Sequence, residues 1–556
     1  MRRLYTVIGL LLFTAVVAIA QPSWAKKAAK SLFTLKTFSA DGTLVGNTIG
    51  FFTGEQGEAV SPFTPFKGAS SAVVVDAQGK ELPVECMLGA NDTYDVAKFR
   101  VAAKKTIPLT LAATNAAEGA EVWLLPYREV KTLPQGSVRK AEVFREKYAY
   151  YTVALNMPDG TTGCPLLNNQ GEAIGIMQQP YKQGDTLNYA ISARFADSLA
   201  INGLSINDAT LRSTGIKKDL PLEISQAQLT LYLAQNSADS ATFKQMLDDF
   251  ITRFPNSPDG YSYRAQNEVN AKDFAAAASD MQKAISVAEK KDEAHFNYSK
   301  LIYLKEVYMP KETFEPWSLD KALDEAREAE RLNPLAVYRN QQAVILYAQK
   351  KYSEADAIYA TLFNSELRSA ELFYEASRCK AAMADTVGTI AMLDSCVATF
   401  NKPYLKEAAP YLIARAQALA DAHRHRDAVN DMNEYEKLMQ ASVNAHFYYT
   451  RFQSEVGGRL FQQALNDIDH AIQMEPEYDL YYAEKASLLL RLGLYDETIA
   501  TAGECIRVAP DHSDGYLFLG IAQCLKGQKQ EGVKNLQKAK ELGDPQADAL
   551  IEKYSK

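Results

Sequence analysis

Prolines and turn residues recur at a fixed interval in the C-terminal part of the chain. Pro476 and Pro510 are 510 − 476 = 34 residues apart, and Pro258 and the turn at Asp292 are 292 − 258 = 34 residues apart. Between them, Ala, Leu, Glu, Lys and Tyr recur at about 3.6-residue spacing, which predicts amphipathic helices. A fixed interval with two helices per unit predicts a stack of helix pairs, because one pair cannot bury its apolar face alone.

The units also agree in residue type. Asp479–Pro510 is the clearest unit, and it carries Tyr482, Ala486, Gly493 and Tyr495 where aromatic, small, turn and aromatic residues are needed. Small residues let neighbouring helices approach closely, and aromatic residues fill the gaps between them. This unit resembles the tetratricopeptide repeat (TPR), a family of all-α solenoids.

Residues 222–556 therefore predict a TPR solenoid of about eight or nine repeats, the first of them degenerate. The step from Asp292 to Pro334 is 334 − 292 = 42 residues, which is 42 − 34 = 8 too many. We expect the extra residues in the loop Pro310–Trp317. The final segment, Pro545–Lys556, predicts a capping helix, since the end of a solenoid needs a polar outer face.

The first half of the chain has a different pattern. Short β-branched and aromatic runs alternate with Gly, Asp and Asn turns, which predicts an all-β barrel or sandwich. The runs are Ser71–Val75, Val122–Leu125, Tyr150–Val153 and Ala173–Met177. A short linker, residues 213–221, separates this half from the helical half.

Four stretches of the first half resemble, in the same order, the trypsin-like serine peptidase domain of the bacterial HtrA type. They are Gly57–Ala69, Asp95–Ala97, the strand region Gly160–Ile176, and Asn188–Ser192. The resemblance implies a pair of six-stranded β-barrels. The predicted organisation is thus a signal peptide (1–25), a trypsin-like domain (26–212), a linker (213–221) and a TPR solenoid (222–556).

The resemblance places three residues in the slots of the catalytic triad. The carboxylate slot is Asp95, the histidine slot is Thr64 and the nucleophile slot is Thr162. An alcohol is a weak nucleophile without an adjacent base. The histidines of the chain all lie in the helical half (His295, His423, His425, His446, His470 and His512). We therefore expect no peptidase activity; the alternative is an endopeptidase that uses Thr162 with a non-standard or partner-supplied base.

The N-terminus has the pattern of an export signal. Arg2 and Arg3 precede an apolar run, residues 4–20, and small-residue cleavage sites end at Ala20 and Ala25. A positive start, a short apolar segment and such a site are typical of a secretory signal peptide. We expect an exported protein, periplasmic or extracellular, with no membrane span after signal removal. An uncleaved anchor is the alternative.

Net charge and the positions of cysteine and histidine argue against some classes of function. A formal charge of −8 and a pI near 5.5 argue against nucleic-acid binding, which needs clustered Lys and Arg. Cys379 with Cys396, and Cys505 with Cys524, can form disulfides or remain buried thiols. The chain has no C-x-x-C motif, and its close pair of histidines, His423 and His425, faces different directions on a helix, so we expect no metal and no cofactor.

A partner-binding groove follows from the TPR resemblance. In that family the groove is lined by fixed positions of the first helix of each repeat. Carried onto this chain, those positions include Asn340, Tyr347, His446, Tyr449 and Gln453. Amides can bond a peptide backbone, and tyrosine offers contact area with a polar tip. The predicted function is an interaction or scaffold protein with a protein or peptide partner. A purely structural spacer is the other non-enzymatic alternative.

Overall fold

The computed structural model describes residues 21–127, 130, 132–180 and 187–555. The predicted signal peptide lies outside the described residues up to Ala20. The chain divides into two compact units, Met1–Asn267 and Glu268–Lys556. The first unit holds the β-strands and the first helices, and the second holds the remaining helices.

The first unit contains two closed, six-stranded barrels. Antiparallel pairing runs β1-β2-β3-β6-β5-β4 in the first barrel and β10-β11-β12-β9-β8-β7 in the second. The predicted double barrel is confirmed. The strands are β1 Leu32–Phe38, β2 Leu44–Phe52, β3 Glu58–Ser61, β4 Ser71–Asp76, β5 Glu81–Asn91, β6 Val96–Val101, β7 Glu121–Leu124, β8 Gln135–Phe144, β9 Tyr148–Ala154, β10 Pro165–Leu167, β11 Ala173–Met177 and β12 Leu187–Ser192.

Alternation along the strands divides the apolar residues between three cores. In β1, Phe33 and Leu35 point into the first barrel, while Leu32 points into a cluster between the barrels. Side chains at successive strand positions face opposite sides, so one strand can serve both cores. Phe51 of the first barrel and Ile176 of the second meet Leu32 in the cluster between the barrels. This packing fixes the two barrels against each other, and with them the loops that carry the triad slots.

The segment before β1 belongs to the barrel fold. A short helix, α1 (Ala25–Ala28), buries Ala25 and Ala28. The Trp24 indole donates to the carbonyl of Asn169 at 3.0 Å. Its ring meets Trp123 edge to face, with ring centroids 6.4 Å apart. Trp24 is therefore part of the second barrel's packing.

The linker lies along the first barrel as an ordered segment. The N–H of Met87 donates to Lys217 at 2.7 Å, and the N–H of Asp219 donates to Met87 at 2.9 Å. The Asp219 carboxylate accepts from Arg100 of the first barrel at 3.2 Å and from Arg253 of α4 at 2.6 Å. The linker thus forms ionic contacts both with the first barrel and with the first helices. The helices of this region are α2 Ala209–Arg212, α3 Ile224–Ala234 and α4 Ser240–Arg253.

The next helix, α5 (Pro258–Asn270), crosses the boundary between the units, and the second unit continues as helices alone. From α7 to α20 consecutive helices pair, α7 with α8 through α19 with α20. They are α6 Phe274–Val287, α7 Lys291–Tyr308, α8 Leu319–Leu332, α9 Ala336–Ala348, α10 Tyr352–Leu362, α11 Ala370–Ala382, α12 Thr386–Val397, α13 Ala409–Asp421, α14 His425–Met439, α15 Ala445–Gly457, α16 Phe461–Met474, α17 Asp479–Arg491, α18 Tyr495–Val508, α19 Ser513–Leu525, α20 Lys529–Glu541 and α21 Ala547–Ser555.

Small residues set the spacing of paired helices. A Cβ on Gly520 would lie 2.8 Å from the carbonyl oxygen of Gly532 on the facing helix. Between helices, the predicted turn residue Gly493 has a φ of +77°, which an L side chain rarely adopts. The extra residues of the long unit fall in the segment after α7 and in α7 itself, which has 18 residues. Trp317 of that segment is buried and donates to the Tyr298 hydroxyl at 3.0 Å.

The C-terminal helix, the cysteines and possible membrane spans are the other features of the sequence. The capping helix α21 packs its apolar side, with Leu550 and Ile551, against Leu517 and Leu536. All six cysteines are buried free thiols. Within the part of the chain that the structure describes, no helix combines the length and apolarity needed to cross a membrane.

Candidate functional site

The loop that carries the histidine slot lies on the first barrel. Thr64 begins a short 3-10 turn, Thr64–Phe66, and its side chain is exposed. The Thr64 N–H donates to the Asp95 carboxylate at 2.6 Å. Asp95 itself has a φ of 48° and is half-buried. The structure thus brings two of the predicted triad slots together, through a backbone group and not through a side chain that could accept a proton.

The nucleophile loop, residues 158–164, lies on the second barrel. Thr161 is buried and its hydroxyl donates to Pro158 at 2.6 Å, which closes a tight turn. Thr162 is half-buried, and its hydroxyl donates to the side-chain oxygen of Gln179 at 3.2 Å. Gly163 has a φ of +85°, and a Cβ there would lie 2.7 Å from Pro62 of the histidine-slot loop. Only glycine lets the two loops come this close.

The loop keeps free backbone donors. Within the described residues, the N–H groups of Gly160, Thr161 and Thr162 have no hydrogen-bond acceptor. In a serine peptidase, backbone donors near the nucleophile stabilise the oxyanion. Here they lie beside a threonine whose hydroxyl faces an amide oxygen, which is not a base. No histidine occurs before residue 295, so the first unit contains no imidazole that could take up the proton of Thr162.

Cys164 does not supply a nucleophile. Its side chain is fully buried in the second barrel core. Burial raises the pKa of the Cys164 thiol to about 12. The thiolate is the reactive form of cysteine, so this thiol is inert near neutral pH.

Comparison with known proteins found relatives and solved structures that each match part of the chain. No protein-family model matches this chain. A small glutamine-rich TPR-containing protein 2 from Saccharomyces cerevisiae is 23% identical over 145 residues, which is 26% of this chain and 42% of that protein. An Hsp70-Hsp90 organizing protein from Triticum aestivum is 24% identical over 138 residues, 23% of this chain and 24% of that protein. The chain therefore spans less than half of either relative. The helical array fits the TPR.

Solved structures that match part of this chain include two proteases and the inactive form of a third protein. One is an HtrA-type protease, AlgW, with a tripeptide, at 16% identity and a TM-score of 0.28; the match covers 34% of this chain and 63% of that chain. Another is a serine endoprotease from Yersinia pestis, at 17% identity and a TM-score of 0.27, covering 34% of this chain and 68% of that chain. The inactive form of Rv3671c from M. tuberculosis matches at 18% identity and a TM-score of 0.28, covering 33% of this chain and 91% of that chain.

The TPR array carries a cleft of about 590 Å³, which we call the first cleft. Three successive first helices of repeats, α7, α9 and α11, form its walls. Asn340 and Tyr347, two of the predicted groove residues, both line it. The other lining residues are Tyr303, Val307, Tyr308, Val344, Ala348, Leu367, Ser369, Glu371, Leu372, Glu375 and Arg378.

Charge and aromatic rings meet at one wall of the first cleft. Arg378 pairs with Glu375, with both carboxylate oxygens 2.9 Å from Nη1. The Arg378 guanidinium also lies 4.6 Å from the centre of the Tyr347 ring. Burial raises the pKa of Tyr303 above its usual value, so its hydroxyl stays a neutral donor. The cleft therefore offers rigid aromatic surface together with amide, hydroxyl and guanidinium donors.

A second cleft, of about 340 Å³, continues along the array. It shares Arg378 with the first cleft and lies between α11, α12 and α13. Tyr374 and Gln417 line it. Since one arginine borders both clefts, an extended chain that occupies the first cleft can reach the second.

The other three predicted groove residues lie on α15, away from the first cleft. His446 and Gln453 are exposed. Tyr449 is half-buried, and its hydroxyl donates to Glu484 of α17 at 3.2 Å. The structure thus divides the predicted set into a pair in the first cleft and a trio on α15.

Three lining residues of the first cleft, namely Tyr303, Tyr308 and Arg378, were not predicted from the sequence. Tyr303 and Tyr308 lie on the extended α7, where the long unit disturbs the 34-residue phase. Arg378 occupies the same helix face as Glu375, and that i, i+3 pair was the signal that could have found it. Among the described residues, no group of His, Cys, Asp and Glu is placed to hold a metal ion.

Proposed function

We propose that this protein is an exported, non-catalytic scaffold whose TPR array binds an extended segment of a protein partner. The first cleft is the observation that carries the proposal. Three successive helices present its amide, tyrosine and arginine side chains on a rigid wall, so little ordering entropy is lost on the receptor side. Aromatic and arginine side chains are also the residues that most often dominate binding energy at interfaces.

The two groups of groove residues give separate tests of this assignment. The double variant Asn340→Ala/Tyr347→Ala removes two side chains from one wall of the first cleft. The double variant Tyr449→Ala/Gln453→Ala changes α15 instead. A matched control is Asn430→Ala with Gln463→Ala, which removes exposed amides from second helices of repeats. Partner capture is measured by pull-down with the mature protein from envelope extract, followed by mass spectrometry.

We expect the first-cleft variant to lose more than about 1 kcal/mol of binding free energy for its partner. The control variant should capture the partner as the unaltered protein does. Thermal stability is expected to be nearly unchanged in the control. Full retention of every native partner by the folded first-cleft variant rules out this cleft as the binding site. A protein that captures no partner at all is instead the spacer of the alternative hypothesis.

We further propose that the double barrel does not cleave peptides. The support is the absence of any histidine before residue 295 and the position of Thr162 beside the Gln179 amide. The free N–H groups of Gly160 and Thr162 then hold a carbonyl of a bound chain without reacting with it. The test is incubation with casein and a fluorophosphonate probe beside a Thr162→Ala control. Labelling that disappears in the control would establish Thr162 as a nucleophile.

We propose export with cleavage after Ala20. Cleavage after Ala25 would remove Trp24, which donates to Asn169 and packs on Trp123. Retention of Trp24 keeps these contacts, so the site at Ala20 suits the folded barrel better. N-terminal sequencing of the protein from native cells decides between the two sites, and a retained Met1 points to the uncleaved anchor.

A further inference from the structure

A basic cleft lies at the edge of the TPR array, where the turns of two successive repeats meet. It has a volume of about 400 Å³ and is bordered by the α13–α14 turn and the α15–α16 turn. Its lining contains no apolar side chain. The charged and imidazole residues are His423, Arg424, His425, Arg426, Asp427 and Arg459, and two glycines complete it.

The charges in the basic cleft do not cancel. Arg424 pairs with Asp427 at 2.8 Å, and the Nε of Arg426 donates to the carbonyl of Gly458 at 3.0 Å. Arg459, which also lines the cleft, forms no ion pair among the described residues. Three arginines against one aspartate leave 3 − 1 = 2 positive charges, with the histidines counted as neutral, in a chain of formal charge −8. A positive cleft on an acidic protein attracts anions.

The backbone adds donors to the same place. Helix α14 begins at His425, and no side chain caps its N-terminus. The N–H groups of His425 and Arg426 have no acceptor among the described residues. The positive end of a 15-residue helix therefore opens toward the turn.

The two imidazole rings of the basic cleft lie close together, and packing holds one of them in place. Nδ1 of His425 is shielded from solvent and has no hydrogen-bond partner. The ring is held by close packing, because a Cβ on Gly457 would lie 2.6 Å from its Cδ2. The His423 ring lies 5.7 Å away, centre to centre. Two imidazoles and three guanidinium groups thus border one polar cleft.

We propose that the basic cleft binds a phosphate group, either free phosphate or a phosphomonoester. A phosphate has three terminal oxygens that accept bidentate arginine contacts and backbone N–H bonds together. A carboxylate has only two oxygens, too few for the guanidinium, amide and imidazole donors gathered here. The cleft lies at the turns and not on the first-helix wall, so this site is separate from the proposed partner-binding groove.

The test uses the mature, full-length protein and inorganic phosphate. Calorimetry and thermal unfolding compare phosphate with chloride at equal ionic strength. The double variant Arg424→Ala with Arg459→Ala is compared with Arg327→Ala with Arg331→Ala, which removes the same charge from exposed positions of α8. We expect phosphate binding to weaken at least about 10-fold in the first variant and to stay unchanged in the second.

Equal phosphate affinity in the two double variants, or no binding to the unaltered protein, overturns the proposal. A second variant, Gly457→Ala, displaces the His425 ring while keeping every charge, and it is expected to weaken binding as well. Vesicles of phosphatidylcholine with and without phosphatidic acid identify the source of the phosphate. Arginine-dependent vesicle binding points to a lipid headgroup, and phosphate binding without vesicle binding points to a soluble phosphate.

Discussion

The carboxylate in the barrel domain and the charged network in the TPR array have opposite surroundings. Asp95, in the triad slot, is half-buried and accepts the Thr64 N–H. Arg451 of α15 is only 6% exposed and contacts Asp467 at 2.6 Å and Glu436 at 2.6 Å. Buried, multiply bonded charges often indicate catalysis, yet here they join helices of successive repeats. In the array the buried charges of Arg451 and Asp467 join helices, whereas Asp95 of the barrel domain is bonded to a backbone N–H group.

The arginine network repeats along the array. Arg415 of α13 contacts Asp431 of α14 at 2.7 Å, as Arg451 of α15 contacts Asp467 of α16, and each partner lies 16 residues further along the chain. The two arginines are 451 − 415 = 36 residues apart, close to the repeat interval. A shared position on the first helix thus links the two helices of a repeat by an ion pair.

Arg451→Ala gives the largest effect if this network is structural. The substitution leaves buried carboxylates without their cation, which costs about 3–5 kcal/mol of unfolding free energy. Denaturant unfolding of the TPR array measures it. The exposed Arg507→Ala, which breaks a surface pair with Glu504, is the control and is expected to change nothing measurable. An equally small effect of both would show that the network contributes no stability.

A Ser-His-Asp triad introduced at the three slots of the barrel domain tests whether the loops there can hold triad geometry. Thr64→His combined with Thr162→Ser supplies a base next to Asp95 and a serine nucleophile. We expect fluorophosphonate labelling at least about 10²-fold faster than in either single variant, because a base and a nucleophile act as a unit. The same double variant with Asp95→Asn is the control, and it should label more slowly. A double variant no faster than its parents would show that the loops no longer hold triad geometry.

Glu455 makes the stability of the array depend on pH. Burial and the neighbouring Asp467 carboxylate raise the pKa of Glu455 from 4.5 to about 8. One Glu455 oxygen is buried and has no hydrogen-bond partner, which favours the protonated, neutral form of this carboxyl group. The folded state thus keeps a proton that the unfolded chain releases above 4.5, so stability falls as pH rises toward 8.

Glu455→Gln removes that dependence. We expect roughly 2 kcal/mol less variation in unfolding free energy between acidic pH and pH near 8, which is below the full linkage value because the Glu455 and Asp467 carboxylates interact. Thermal unfolding at several pH values measures it. The exposed Glu477→Gln is the control. A variant with the same slope as the unaltered protein would place the titration elsewhere.

The smallest expected effect concerns the linker. Asp219→Ala removes contacts with Arg100 and Arg253, and we expect a loss of about 1 kcal/mol, because these partly exposed charges are screened by solvent. Limited proteolysis at residues 213–221 should become faster. Asp197→Ala, which breaks an exposed pair with Arg194, is the control. Unchanged cleavage in Asp219→Ala would show that backbone pairing with Met87 alone orders the linker.

The sequence by itself determined the two architectures. The 34-residue interval and the turn residue Gly493 predict helix pairs. Helical periodicity and a positive φ at a turn both depend on residues that are close in the sequence. The absence of histidine before residue 295 is likewise a fact of the sequence, and it is the ground for expecting no peptidase activity.

Only the tertiary structure decided which side chains meet. Tyr303, Tyr347 and Arg378 come from three helices, and the first cleft exists because those helices stack. The split of the predicted groove set, with Asn340 in that cleft and Tyr449 on α15, follows from the same stacking. Contacts such as Tyr449 with Glu484 and Asp219 with Arg253 join residues whose spacing carries no local signal. Side-chain burial and pairing depend on the packing of whole helices, which residue patterns along one helix do not specify.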